Sequence, residues 1–111
     1  MSDSIFGIHG VALELRSQRM GLISANIANA ATPGYKARDI DFATALKARE
    51  AGRPTDAATL YRVPVMPGLD GNTVEMATEQ TAFAENAVGY ATTLQFIRGR
   101  VETLTRALKG D

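Results

Sequence analysis

The sequence has no cysteine and no tryptophan. Without cysteine, disulfide staples and thiolate metal sites are excluded, and the chain is compatible with any redox compartment. An excess of either charge is missing too. Twelve basic side chains are matched by twelve acidic ones among 111 residues, for a formal net charge of +0. No basic patch dominates, which argues against nucleic acid as a partner. No stretch reaches the roughly 18 consecutive apolar residues that a membrane span needs. The opening MSDSIFGIHGVALELRSQRM does not read as a cleavable signal peptide. Its first charge is Asp3, and His9, Glu14 and Arg16 interrupt its apolar run. Taken alone, that points to the cytosol.

Catalytic residues are scarce as well. His9 is the sole histidine, and no carboxylate or cysteine cluster accompanies it, so it reads as a packing or surface residue. Asp39 and Asp41 stand one residue apart, a spacing that suits a solvated turn or an ion pair better than acid–base work. Neither Gly7-Ile8-His9-Gly10 nor Gly68-Leu69-Asp70-Gly71 has phosphate-loop spacing. No catalytic residue, cofactor, metal ion or small-molecule substrate is expected.

What the chain does have is helical periodicity. Met76, Phe83, Tyr90, Ile97 and Leu104 fall seven apart, and Ala87, Leu94, Val101 and Leu108 interleave with them. Such a stripe predicts one long helix with a coiled-coil seam. Asn72 followed by Glu75 gives a capping-box pattern at its start, and Gly110 is a natural stop. Glu75, Glu79 and Glu85 lie toward that start, with Arg106 and Lys109 near the end, which suits the helix dipole.

The N-terminal segment is helical too, and it carries two stripes. Ile8, Val11, Leu15 and Leu22 form one; Phe6, Leu13, Met20 and Ile27 form the other, on nearly the opposite face at about 100° per residue. The first stripe is expected to pair with Phe83, Tyr90, Leu94, Ile97, Val101 and Leu104 inside the chain. The second is expected to face other subunits. The middle weakens this pattern. Phe42 to Glu50 could make a few helical turns, Gly52 to Thr59 reads as a flexible loop, and Pro64 demotes Leu60 to Val65 to an edge strand or extended segment. This stretch looks too short and too polar for a second core. The expected architecture is therefore all-α, with long N- and C-terminal helices packed as an antiparallel coiled-coil-like pair and joined by a largely irregular middle segment. It forms one domain over 1–111, divided as helix 1–31, turn and loop 32–73, and helix 74–109.

The helix must stop at Thr32-Pro33-Gly34. Proline pushes the residue before it out of helical geometry, and Gly34 at the third turn position supplies a positive φ. Asn26 and Asn29, three apart just before that bend, can bind the last carbonyls of the helix or the N–H groups of the turn.

These residues carry a resemblance. Ala25, Asn26, Ala28, Asn29, Thr32, Pro33, Gly34 and Tyr35 match, in order and spacing, the A-N-x-A-N-x-x-T-P-G-Y signature of the flagellar axial proteins, the rod, hook and hook-associated family. The continuation Lys36 to Phe42, KARDIDF, is similar to the basal-body rod members, closest to the proximal rod. DGNTVEMATEQTAFAENAVGYATTLQFI is similar to their C-terminal half. The resemblance covers nearly the whole chain, with a somewhat short middle. It implies a structural subunit and no enzyme: terminal helices stacked with other copies and other rod proteins around a central channel. The resulting hollow shaft transmits torque and conducts exported subunits. It further implies export by the flagellar type III apparatus without a cleaved signal, a place in the periplasmic rod, and contact with inner-membrane ring and export-gate components. That implication replaces the cytosolic expectation. The rival readings are a small helical adaptor forming a discrete coiled-coil dimer, which leaves the Asn-rich turn unexplained, and an enzyme built on Asp39 and Asp41, which lacks a pocket.

Overall fold

The computed structural model describes residues 6–54, 58–64 and 68–110. Helix α1, Gly7–Ala28, ends where Asn29 turns its own N–H back to the carbonyls of Ala25 and Asn26. Strand β1, Arg38–Ile40, follows and leads into helix α2, Phe42–Glu50. Asp41 caps α2 by accepting the Thr44 N–H at 3.2 Å, and Lys47 and Arg49 sit in its last turn. Strand β2, Thr59–Tyr61, lies antiparallel to β1 with Asp39 opposite Leu60. Helix α3, Met76–Lys109, stops at Gly110, whose φ of 78° is left-handed. The fold is all-α in class, with long first and last helices, a largely irregular middle and a two-stranded sheet among the described residues. No helix is long and apolar enough to cross a membrane among those residues.

The main apolar cluster sits where no second core was expected. Leu15, Ile40, Ala45 and Ala58 form it, with Val11, Leu22, Phe42 and Leu46 packed around them. Two alanines do much of the burying. They let α2 and the sheet approach α1 closely without a greasy signature in the sequence. Val11, Leu15 and Leu22 are thus covered by the middle of the chain rather than by α3.

Helices α1 and α3 do run antiparallel, but the seam between them corrects the expected one. The ring of His9 stacks on Phe96 with centroids 5.1 Å apart. The Asn86 amide donates to the Arg16 carbonyl at 2.8 Å, and Asn26 donates to Glu79 at 2.9 Å. These anchors fall in two heptad runs: His9, Ala12, Arg16, Arg19, Ile23 and Asn26 on α1, and Glu79, Ala82, Asn86, Gly89, Thr93 and Phe96 on α3. Glu79, Ala82, Asn86 and Thr93 are the buried residues of α3. Most of this seam is small or polar, so a search for apolar periodicity passes over it. Of the residues expected to form it, Ile8, Phe83, Val101 and Leu104 are 42%, 39%, 42% and 38% exposed. Tyr90, Leu94 and Ile97 are half-buried.

Those of α3 lie on one flank, whereas Ile8 sits on the other, near Phe42 and Leu46. Both helices are right-handed and run in opposite directions. A step of four residues from Glu79, or from Arg16, therefore reaches the same side of the pair, about a quarter turn from the seam. On α1 that step gives Leu13, Met20 and Ile27; on α3 it gives Met76, Phe83, Tyr90 and Ile97. Phe6, Leu13, Met20 and Ile27 are half-buried. The two stripes run side by side, with Leu13 level with Tyr90 and Met20 level with Phe83, on the flank opposite Leu15 and the middle segment.

Candidate functional site

The Thr32–Tyr35 turn closes when the Tyr35 N–H donates to the Thr32 carbonyl at 3.2 Å, with Gly34 third at φ 76°. Asn29 donates to the Ala25 carbonyl at 2.8 Å and accepts the Thr32 hydroxyl at 3.0 Å. The Ala25 carbonyl thus accepts both the backbone N–H and the side-chain amide of Asn29.

The turn is then clamped by the segment before α3. Gly34 N–H donates to the Asp70 carbonyl at 2.9 Å, and Thr73 N–H to the Tyr35 carbonyl at 3.0 Å. Lys36 reaches the Gly71 carbonyl at 2.6 Å, and Ala37 N–H donates to the Thr73 hydroxyl at 2.9 Å. Asn72 is the centre of the clamp. Its amide meets the carbonyls of Asn29, Ala30 and Thr32 at 2.9, 3.1 and 2.7 Å. An amide group has two hydrogens for these three acceptors, so one is shared. Its oxygen accepts the Val74 N–H at 2.7 Å. Asn72 therefore does not open a capping box, and α3 starts at Met76 with Glu75 as its cap residue.

Asn26, fully buried, ties three elements together. It donates to the Arg38 carbonyl at 2.8 Å and to Glu79 at 2.9 Å. It accepts the Arg38 N–H at 3.1 Å and the Tyr35 hydroxyl at 3.4 Å. From Glu79 a chain of charges returns to α1. Arg62 Nε meets Glu79 Oε2 at 2.6 Å, Arg62 Nη2 meets Asp39 at 2.9 Å, and Arg19 Nε meets Asp39 Oδ1 at 2.7 Å. Burial opposes ionisation of Asp39, but the hydrogen bonds from Arg19 and the Ile40 N–H, with the charges of Arg19 and Arg62, outweigh it. The carboxyl is held below the usual range. The same hydrogen bond raises the Arg19 guanidinium above its usual value. Burial, and then the neighbouring Arg19 charge, lower that of Arg16. Arg16 lies 4.2 Å over the Phe42 ring. Gly89 leaves it room, because a β-carbon there would fall 2.5 Å from its guanidinium. The titratable groups of this region are thus occupied in ion pairs and packing.

Of the motif residues, Ala25 and Ala28 lie on the last turns of α1, Asn26 and Asn29 point inward, and Thr32 to Gly34 are exposed around the clamp with Tyr35 half-buried. The signature is a tie between the end of α1 and the approach to α3. The family model described as Flagella basal body rod protein matches residues 7–36, which is α1 and this turn. A flagellar basal body rod protein FlgB of Cereibacter sphaeroides is 49% identical over 95% of this chain and 94% of its own length. The chain belongs to the flagellar basal-body rod protein family. The FlgB proteins of Aeromonas hydrophila and Escherichia coli (strain K12) are each 40% identical, over 98% and 96% of this chain and 96% and 94% of their own lengths. As a basal-body rod protein it is a structural subunit, not an enzyme.

For this rod-family chain, reasoning from the sequence missed Arg62, Glu79, Asn86 and the clamp made by Asn72. Glu79 and Asn86 are seven apart. Polar residues at heptad spacing were the available signal, beside a more conspicuous apolar series. Nothing in the local sequence marked Arg62, whose partners are reached only through the sheet.

Proposed function

We propose that this chain is a subunit of the proximal rod that polymerises as one rod-type unit into a hollow shaft. The apolar flank of the α1–α3 pair is covered by neighbouring copies and by other rod proteins. The shaft transmits torque and conducts exported subunits. Its base meets inner-membrane ring and export-gate components, and the subunit reaches the periplasm without a cleaved signal. The observation that carries the reading is the paired stripe itself. Phe6, Leu13, Met20 and Ile27 lie beside Met76, Phe83, Tyr90 and Ile97, and Leu104 extends the row. Phe83 and Met76 are each 39% exposed, whereas the opposite flank of α1 is closed by α2 and the sheet. An apolar face of this length is a partner surface in a small protein. A repeated contact that does not close gives an open helical assembly.

The test is incorporation. Phe83→Asp and Met20→Asp, expressed in place of the parent chain, should leave the isolated subunit's circular dichroism unchanged and abolish rod assembly and motility. Assembly of normal rods by both variants would overturn the reading.

A further inference from the structure

We propose that pairing of α1 with α3 is conditional on the middle segment, because Arg62 supplies the countercharge without which Glu79 cannot enter the seam. Glu79 is a carboxylate with no exposure, placed at a heptad position between the two long helices. Its neighbour across the seam is Asn26, an uncharged amide that gives it one hydrogen bond of 2.9 Å. One neutral donor does not offset removal of a carboxylate from water. The rest comes from Arg62, whose Nε and Nη2 lie 2.6 and 3.4 Å from the two carboxylate oxygens. Arg62 belongs to neither helix. It follows β2 directly, and its own N–H donates to the Ala37 carbonyl at 2.9 Å, so its position depends on the strand pairing. Asp39 on β1 fixes it further: Arg62 Nη2 lies 2.9 Å from Asp39, which Arg19 of α1 holds from the other side.

The five side chains form a closed ring that begins and ends on α1, at Arg19 and Asn26, seven residues apart. Two arginines balance two carboxylates. Remove the sheet and the ring loses Asp39 and Arg62 together, leaving Glu79 one hydrogen bond from a neutral amide and only the more distant charge of Arg19. A seam of small residues such as Ala82 and Gly89 has little apolar area to set against that cost. The sheet therefore acts as a latch: docked, it admits Glu79 and closes the helix pair; undocked, it leaves the pair open at this end.

The chain has no cysteine, so an introduced pair reports closure cleanly. Ile27→Cys with Met76→Cys places two thiols at the same level beside Asn26 and Glu79, and their rate of disulfide formation follows the closed population. In the full-length chain, Arg62→Met should slow cross-linking at least about a hundredfold, the scale of breaking a buried pair. Adding Glu79→Gln to Arg62→Met should restore the rate to within about threefold of the parent pair, since a neutral amide needs no countercharge. An unchanged rate in Arg62→Met, a double variant no faster than Arg62→Met alone, or no cross-linking in the parent pair would each overturn the proposal.

Discussion

Asn72 shows how much one side chain can hold. It binds three carbonyls at the end of α1 and steers the chain into α3. Asn72→Ala should cost about 1–3 kcal/mol, the penalty of stranding part-buried acceptors, read as a fall in the denaturant midpoint with an unchanged slope. Asp39 makes a pH prediction. Its carboxyl is depressed by Arg19, the Ile40 N–H and Arg62 against the effect of burial. A depressed folded pKa contributes stability above the unfolded value of about 3.9, lost as pH falls through the folded one. Asp39→Asn should therefore remove part of the loss of melting temperature seen below about pH 4, and an identical acid profile in both proteins would rule that out. Glu14, also held low by Arg49, is half exposed and contributes little. Residue chemistry was only partly legible beforehand. The Thr32-Pro33-Gly34-Tyr35 turn follows from proline and glycine alone. Gly52, which reads as part of a flexible loop, has a positive φ of 72°, close to the 76° of Gly34. Gly52 ends α2, which a polar loop sequence does not announce.

Among the elements, both long helices and the possible short one were legible in the sequence, but not which faces meet. The reason is physical rather than accidental. A helix pair can close over alanine, glycine and buried polar groups, and those contacts leave the large apolar residues free for something else. Of the first stripe, Leu15 is fully buried against Ile40, Ala45 and Ala58, whereas Leu104 of the expected seam is 38% exposed. Leu15→Ala should therefore cost about 2–5 kcal/mol. Leu104→Ala should cost less than about 0.5 kcal/mol in the isolated subunit. Equal losses in thermal or denaturant unfolding would mean that the seam had been assigned to the wrong residues. The core under α2 was not legible because Ala45 and Ala58 bury little area each and become a core only when the strands bring them together.

The whole molecule is elongated, with extents of 64 × 27 × 18 Å. Its buried apolar set among the described residues is Leu15, Ile23, Ile40 and four alanines. So small a core leaves little surplus over the entropy of ordering the chain. The dilute subunit should melt with low cooperativity, and assembly should stabilise it by mass action. Circular dichroism across a concentration series checks this; a sharp, concentration-independent melt would speak for a self-sufficient domain. In the proposed rod, neighbouring subunits cover the flank bearing Met20 and Phe83. Hydroxyl-radical footprinting of intact rods tests it most directly. Met20 and Phe83 should be scarcely labelled in rods and heavily labelled in the chemically unfolded chain. Labelling in rods as heavy as in the unfolded chain would contradict the account.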